Sequence, residues 1–166
     1  ARISCDRLEE YGIVRDVVVT LSEAGGRTVS VQTRNAWLKG LGPKENRDVP
    51  PLRREVAFDL KRDFPTATIV INGQVDTLEL AEELLQKVDG VMMGRAAYKT
   101  PWVLSDVDAR LFADMHPVAS REELIEIMTQ YIRRETPTDS HVPRATAKAM
   151  IGLLQGLAGA RFYRRT

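Results

Sequence analysis

The sequence has very little cysteine and histidine: Cys5 is the single cysteine, and there are two histidines. One cysteine cannot form an internal disulfide, and no cysteines and histidines lie at metal-ligand spacing, so disulfide-bonded secreted domains and structural zinc sites are excluded. We therefore expect a reducing compartment, either the cytoplasm or the mitochondrial matrix. Long apolar runs are also lacking, since the uncharged stretch 149–160 is shorter than the ~20 residues that a bilayer-spanning helix needs. The sequence predicts no membrane span.

A recognisable set of catalytic side chains is missing as well. No Ser/His/Asp arrangement and no pair of carboxylates has the spacing typical of nucleophilic or acid–base catalysis, and His116 and His141 fall in loop or cap positions. We interpret Cys5 as a small buried hydrophobe, because no histidine lies near it in sequence. The chain is therefore expected to carry no catalytic residue and no metal ligand of its own.

What the chain does have is the composition of an average soluble globular protein. Its 166 residues are 43% hydrophobic and 28% charged, with a net charge of +1. This balance excludes intrinsic disorder, and the length favours one domain. The first residue is Ala1 and no charged and apolar leader follows it, so we expect no signal peptide and a chain that has been cut at its start.

Apolar periodicity predicts the order of the secondary structure. Short apolar runs at 28–31, 68–71 and 90–93 predict fully buried parallel strands, and helical patterns predict helices at 8–24, 52–62 and 77–88. This alternation is typical of an α/β fold with a parallel sheet. The segment 33–52 interrupts it with a long loop rich in glycine and proline, and loops of that length are usually functional.

Beyond about Ser105 the sequence shows no strand signal. A capping box at residues 120–123 begins a helix that runs to Glu135, a second helix is predicted at 143–154, and a short third helix follows Gly159. Residues 101–117 are interpreted as a connector. The sequence therefore predicts an α/β part at 1–104 and a helical part at 105–166.

Residues suited to an anion follow two of the predicted strands. Asn72 and Gly73 come directly after one strand, and Gly94 and Arg95 come directly after the next. In parallel α/β barrels, the loops after late strands and the helix N-termini that follow them commonly bind phosphate. The pattern therefore favours a flavin or sugar phosphate, although a glycine after a strand can equally mark a plain turn.

Cations are concentrated in two segments. The long loop contains Lys39, Lys44 and Arg47 beside Trp37, and the stretch 141–166 carries no acidic residue and five cations, namely Arg144, Lys148, Arg161, Arg164 and Arg165. The other 140 residues therefore carry a net charge of −4. Cations with an exposed aromatic suit RNA. The alternatives are a solvated loop with Trp37 anchored in the core, and cations that stabilise helix C-termini.

Several segments together resemble the A branch of the tRNA-dihydrouridine synthases, and the resemblance covers essentially the whole chain. The most specific segment is the loop 37–47 followed by 50–52, and the others are 60–65, 71–73, 89–98 and 152–161. The resemblance implies the C-terminal half of a TIM (β/α)8 barrel, with Ala1 inside the fifth strand, followed by an all-helical RNA-binding subdomain. It also implies FMN as cofactor, NADPH as reductant, and reduction of the C5–C6 bond of tRNA D-loop uridines.

The same resemblance assigns residues to the flavin site. They are Gln32, Arg34, Asn72, Gly73, Gly94 and Arg95. Gln32 replaces a histidine of the family, and Gln74 replaces a second glycine, so we expect the site to hold phosphate less tightly. The family's general-acid cysteine and its flavin-contacting lysine belong to the preceding half of the barrel, and Cys5 is not that cysteine.

Two hypotheses follow from the sequence. The first is a synthase-derived domain that has lost catalysis and serves as a structural component bound to tRNA or ribosomal RNA, in an assembly such as an organellar ribonucleoprotein. The second is the C-terminal part of an active FMN- and NADPH-dependent synthase. In both, half a barrel leaves two sheet edges and an inner face open. We therefore expect a protein partner or the missing N-terminal half to cover them.

Overall fold

The protein has an α/β structure, seen in a computed structural model that describes residues 10–37, 39–114 and 120–164. The chain divides into two compact units, the first made of residues 1–75 and 79–93 and the second of residues 76–78 and 94–166. Cys5, His116, Arg165 and the predicted start of the first helix at Leu8 lie outside the described residues. The boundary between residues 104 and 105 stays a prediction.

A three-stranded parallel sheet forms the centre of the first unit. β1 (Thr28–Gln32), β2 (Thr68–Asn72) and β3 (Gly90–Met92) lie in that order, with β2 in the middle. The prediction of parallel strands at these positions is confirmed. Among the described residues, no further strand pairs with the outer edge of β1 or of β3.

The sheet is buried on one face, which corrects the prediction of strands buried on both sides. In β1 and β2 the buried residues alternate with more exposed ones, the buried ones being Val29, Val31, Ile69 and Ile71. Because successive side chains of a strand point to opposite faces, the alternation defines one covered face and one open face. The apolar runs are so short that their composition does not distinguish strands buried on both faces from strands buried on one face.

Three helices supply the other side of the core: α1 (Glu10–Glu23), α2 (Arg54–Asp63) and α3 (Leu78–Leu85). Each helix contributes two buried apolar side chains to the core. These are Val14 and Val18 of α1, Ala57 and Leu60 of α2, and Ala81 and Leu84 of α3. Helix α1 ends where Gly25 takes the left-handed φ of +88° and the Gly26 N–H donates to the Leu21 carbonyl at 2.8 Å. Helix α2 ends before Pro65, as predicted.

Tyr11 and Asp63 join the start of α1 to the end of α2. The Tyr11 hydroxyl donates a hydrogen bond to the Asp63 carboxylate. Burial, together with the hydrogen bond and the negative charge of Asp63, raises the pKa of Tyr11 to about 12. The phenol therefore stays protonated over the physiological range and keeps this hydrogen bond.

The second unit contains α4 (Gly94–Lys99), α5 (Val107–Leu111), α6 (Arg121–Glu135), α7 (Val142–Met150) and α8 (Ala160–Tyr163), with a 3₁₀ turn at Pro101–Leu104. The capping box is confirmed, because the Glu123 N–H donates to the Ser120 hydroxyl at 3.1 Å. One prediction is wrong, because α7 ends at Met150 and residues 151–156 continue as turns. The segment predicted as a connector contains the 3₁₀ turn and α5 within the described residues.

Arg121 organises this second unit. Its guanidinium lies 4.5 Å from the ring of Trp102, and its Nε donates to the Leu153 carbonyl at 3.0 Å. One side chain at the start of α6 therefore contacts both the 3₁₀ turn and the segment that follows α7. In the part of the chain that the structure describes, no helix is long and apolar enough to cross a membrane.

Lys61 and Asp89 fasten the amino end of the sheet. Lys61 Nζ donates to the Pro65 and Ala67 carbonyls at 2.9 and 3.1 Å and pairs with Asp89 Oδ2 at 2.9 Å. The Ile69 N–H donates to the same carboxylate oxygen at 2.9 Å. The Ile69 hydrogen bond and the Lys61 ammonium lower the pKa of Asp89.

Replacing Asp89 with asparagine is expected to lower the free energy of unfolding at pH 7 by about 1 kcal/mol, because a charged acceptor shared by two donors is lost. The folded-state pKa is depressed, so this stabilisation is present above the unfolded pKa and disappears as the pH falls through the folded pKa. Urea denaturation at a series of pH values should therefore show the variant and the native protein converging in acid. Glu83→Gln, on an exposed position of α3, should change little at any pH, and a constant Asp89→Asn difference down to low pH would contradict the charge-based cause.

Candidate cofactor and RNA site

The open face of the sheet carries a row of three side chains at the carboxyl ends of the strands. Gln32, Asn72 and Met92 are partners in the strand register, so they lie side by side on this face. Neighbouring strands are about 4.8 Å apart, which brings the two amide groups within reach of one small group. The amides are half-buried and Met92 is 48% exposed. The row offers hydrogen-bond donors and acceptors beside a soft apolar surface.

A tight turn follows this row at Gly73 and Gln74. A Cβ at Gly73 would lie 2.1 Å from Thr33 Oγ1. The residues that follow β1 and β2 therefore lie closer together than a side chain at residue 73 would allow. Gln74 has a φ of +48°, in the left-handed region where a glycine is favoured. As predicted, Gln74 adds a side chain at this turn. The side chain is exposed, and the backbone has a conformation that glycine adopts more easily.

Arg34 lies just past β1 and is 6% exposed. Its Nη1 donates to the Asp48 carbonyl at 2.9 Å and to the Pro50 carbonyl, and its Nη2 donates to the amide oxygen of Gln74. The guanidinium thus ties the far end of the long loop to the turn after β2. The predicted role of Arg34 as a direct phosphate contact stays a prediction, and its visible role is to position the loop.

Arg54, the first residue of α2, reaches the same turn. Its Nη2 donates to the Gly73 and Gln74 carbonyls at 3.4 and 3.2 Å, and its buried Nε has no hydrogen-bond partner among the described residues. Sequence reasoning missed Arg54 and Met92. The strand register would have revealed Met92, since it stands two residues before Gly94, but nothing in the sequence indicates that Arg54 folds back onto the turn.

Asn46 holds the long loop in shape. Its side-chain oxygen accepts from the Trp37 N–H at 2.7 Å, and its Nδ2 donates to the Trp37 and Leu41 carbonyls at 2.9 and 3.2 Å. Trp37 is 37% exposed, so the alternative in which it is anchored in the core is wrong. The three loop cations predicted to contact RNA are exposed, namely Lys39, Lys44 and Arg47.

The remaining predicted residues belong to the second unit. Gly94 and Arg95 begin α4, where Gly94 is exposed and a Cβ there would meet nothing within 4 Å. Arg144, Lys148 and Arg161 are exposed, and Arg164 donates to the Gln155 amide oxygen at 2.8 Å. In the ranges that the structure describes, no group of three His, Cys, Asp or Glu side chains could hold a metal ion.

Comparison with known sequences shows the protein family to which this chain belongs. The sequence model of the dihydrouridine synthase family, described as Dihydrouridine synthase (Dus), matches residues 1–166. The chain therefore belongs to the dihydrouridine synthase family, which confirms the resemblance found in the sequence.

Relatives from three bacteria make the similarity more specific. The chain is 43% identical over 165 residues to a tRNA-dihydrouridine(20/20a) synthase of Vibrio vulnificus, covering 99% of this chain and 50% of the relative. Proteins with the same description in Yersinia pestis and Pseudomonas aeruginosa are each 44% identical, with 99% of this chain and 48% and 49% of the relatives covered. The chain spans about half the length of the curated relatives it matches.

Proposed function

We propose that this chain is the C-terminal half of an active tRNA-dihydrouridine synthase, which reduces uridines of the tRNA D-loop. The observation that carries the proposal is the family match over all 166 residues, together with relatives described as tRNA-dihydrouridine(20/20a) synthases. The comparisons give no support to the first hypothesis, a structural domain without catalysis in an organellar ribonucleoprotein. The bacterial origin of these relatives favours the cytoplasm over the mitochondrial matrix.

The one-sided sheet supports the proposal that the chain is part of a TIM barrel. A parallel sheet with helices on one face and an open second face is what part of a (β/α)8 barrel presents, because the barrel interior is lined by the face that the helices do not cover. On α1 the residues Ile13, Val17 and Leu21 form a stripe that is 62%, 40% and 42% exposed. A longer chain would cover this stripe and the free edge of β1, so no separate protein partner is required.

The row and the turn fit the phosphate and ring of a flavin. The two amides of Gln32 and Asn72 can donate hydrogen bonds, and Gly73 removes side-chain bulk. In the second unit, Gly94 and the cation Arg95 stay predicted phosphate contacts. The chemistry that FMN supplies when bound is hydride transfer from NADPH to the C5–C6 double bond of uracil. The residues of this chain would hold and orient the cofactor, and the proton donor would come from the other half of the protein.

We assign the RNA contacts to cations of both units. In the loop these are Lys39, Lys44 and Arg47, and in the helical part at 105–166 they are Arg144, Lys148, Arg161, Arg164 and Arg165, the last of which lies outside the described residues. Exposed cations neutralise phosphates, and the half-exposed Trp37 offers a face on which an unpaired base can stack.

Two measurements on the full-length protein test the proposal. The native protein should have an intact mass of about twice the 18.6 kDa of this chain and the absorbance of a bound flavin. Incubation with NADPH and an unmodified tRNA transcript should add two hydrogens to D-loop uridines, measured by mass spectrometry of nuclease digests. A native mass of 18.6 kDa without flavin, or a full-length flavoprotein that leaves the transcript unchanged, would overturn the proposal.

A further inference from the structure

The second unit contains an open cavity of about 460 Å³ that lies outside the flavin site described above. It is lined by the C-terminal end of α4, the end of α7 with the turns that follow it, and the residue after α8. Pockets of about 300 to 1,000 Å³ are the usual size for a small ligand. The cavity is therefore large enough for one nucleotide.

Three cations from separate segments converge on this cavity: Lys99, Lys148 and Arg164. Among the described residues, no acidic side chain lines it. Lys99 and Lys148 are exposed, and the Gln155 amide oxygen holds the guanidinium of Arg164 at 2.8 Å. A helix C-terminus favours one nearby cation, which explains Lys99 or Lys148 singly, but it does not explain why three cations face one cavity.

The cavity also has an apolar side. Tyr98 is 54% exposed and Ile151 is 46% exposed, so the phenol ring and a branched side chain face solvent within the same concavity. Aromatic faces stack with unpaired bases, whereas cations contact phosphate oxygens. Cations and an aromatic ring in the same cavity match the two parts of a nucleotide, its phosphate and its base.

We propose that this cavity holds one unpaired nucleotide of the bound RNA, with its base against Tyr98 and its phosphate between Lys99, Lys148 and Arg164. The inference rests on the proposed function, since the RNA is the substrate tRNA. A base within a duplex is stacked and paired and cannot enter a concave pocket, so the occupant is an unpaired or everted nucleotide. The inference adds Tyr98 and Lys99 to the RNA contacts expected from sequence, and Gln155 positions Arg164.

Substitutions in the full-length holoenzyme test the pocket, with an unmodified tRNA transcript as the probe. Tyr98→Ala should weaken binding about tenfold without changing the salt dependence, because stacking involves no phosphate, and Tyr98→Phe should bind as the native protein does. Lys148→Ala should weaken binding and reduce the slope of log affinity against log salt by about 0.7 to 0.9, the value for one phosphate contact. Lys148 is exposed, so its loss leaves the fold intact.

Arg133→Ala is the matched control, because it removes one exposed cation from α6, outside the cavity. The proposal is overturned if Lys148→Ala and Arg133→Ala weaken binding equally, or if Tyr98→Ala binds as Tyr98→Phe does. It is also overturned if free uridine 5′-monophosphate binds the native protein and loses affinity in Lys148→Ala while tRNA affinity is unchanged, since the pocket then serves a free nucleotide. If the native holoenzyme and all the pocket variants bind the transcript equally well, only the proposal about the pocket is contradicted. If the native protein neither binds nor reduces tRNA, the proposed function is contradicted as well.

Discussion

Replacing Arg34 with methionine is expected to lower the free energy of unfolding by about 2 to 4 kcal/mol, because one buried and two partly buried hydrogen bonds lose their charged donor at once. The guanidinium is 6% exposed and donates to the carbonyls of Asp48 and Pro50 and to the Gln74 side chain. Methionine fills similar space but donates no hydrogen bond. Urea denaturation of the full-length protein measures the loss.

The same substitution should release the long loop. Arg34 joins the end of this loop to the turn after β2, so without it trypsin should cleave faster after Lys39 and Lys44, both of which are exposed. Arg34→Lys keeps the charge but not the planar fork of donors, and should give an intermediate loss of stability. Flavin content and tRNA reduction should fall in the same order.

Arg53→Met is the matched control for Arg34→Met. Arg53 precedes α2 and pairs with Glu55, and the two side chains are 34% and 56% exposed. Exposed ion pairs contribute about 0 to 1 kcal/mol, so this variant should be nearly as stable as the native protein and resist trypsin equally well. If Arg34→Met matched Arg53→Met in stability and in cleavage rate, Arg34 would not be the anchor of the loop.

The sequence was sufficient for the elements whose signals are local. Three parallel strands, the end of α2 before Pro65 and the Ser120 cap of α6 depend on neighbouring residues and were predicted at their observed positions. The family resemblance depended on local segments as well, and it is confirmed over the whole chain. Local patterns failed where a few residues suited two structures, as at the early end of α7.

The candidate site could be predicted only in part, because its geometry depends on contacts between distant residues. Asn72 and Gln32 share a row through the strand register, over a sequence separation of forty residues. The sequence predicts Arg34 as a ligand contact, yet its guanidinium donates to backbone oxygens that no sequence pattern marks. The cavity beside Tyr98 combines residues from α4, α7 and the chain after α8, so the basic tail suggested its cations but not their convergence.

Gly152→Ala is expected to be among the most disruptive substitutions in the second unit. A Cβ at this position would lie 2.0 Å from the Lys99 carbonyl oxygen, 2.6 Å from its carbon and 3.0 Å from Pro101 Cδ. These atoms are backbone or ring atoms, so no side-chain rotation relieves the contact and the chain after α7 must move away from the end of α4. Overpacking of this kind costs about 1 to 3 kcal/mol, and the short distances place Gly152 at the upper end.

Gly12→Ala is the control that separates steric overlap from the general effect of replacing glycine. Nothing lies within 4 Å of a Cβ at Gly12, which is inside α1, so alanine there should stabilise the protein by about 0.5 to 1 kcal/mol. Urea denaturation should move in opposite directions for the two variants, and hydrogen exchange should become faster at residues 94–104 and 151–156 in Gly152→Ala alone. Lys99 and Ile151 line the cavity, so the tRNA affinity of the Gly152→Ala variant should fall by at least as much as that of the Tyr98→Ala variant. Unchanged stability and exchange in Gly152→Ala would mean that these two segments separate at little cost, and the contact at Lys99 would then not define the shape of the pocket.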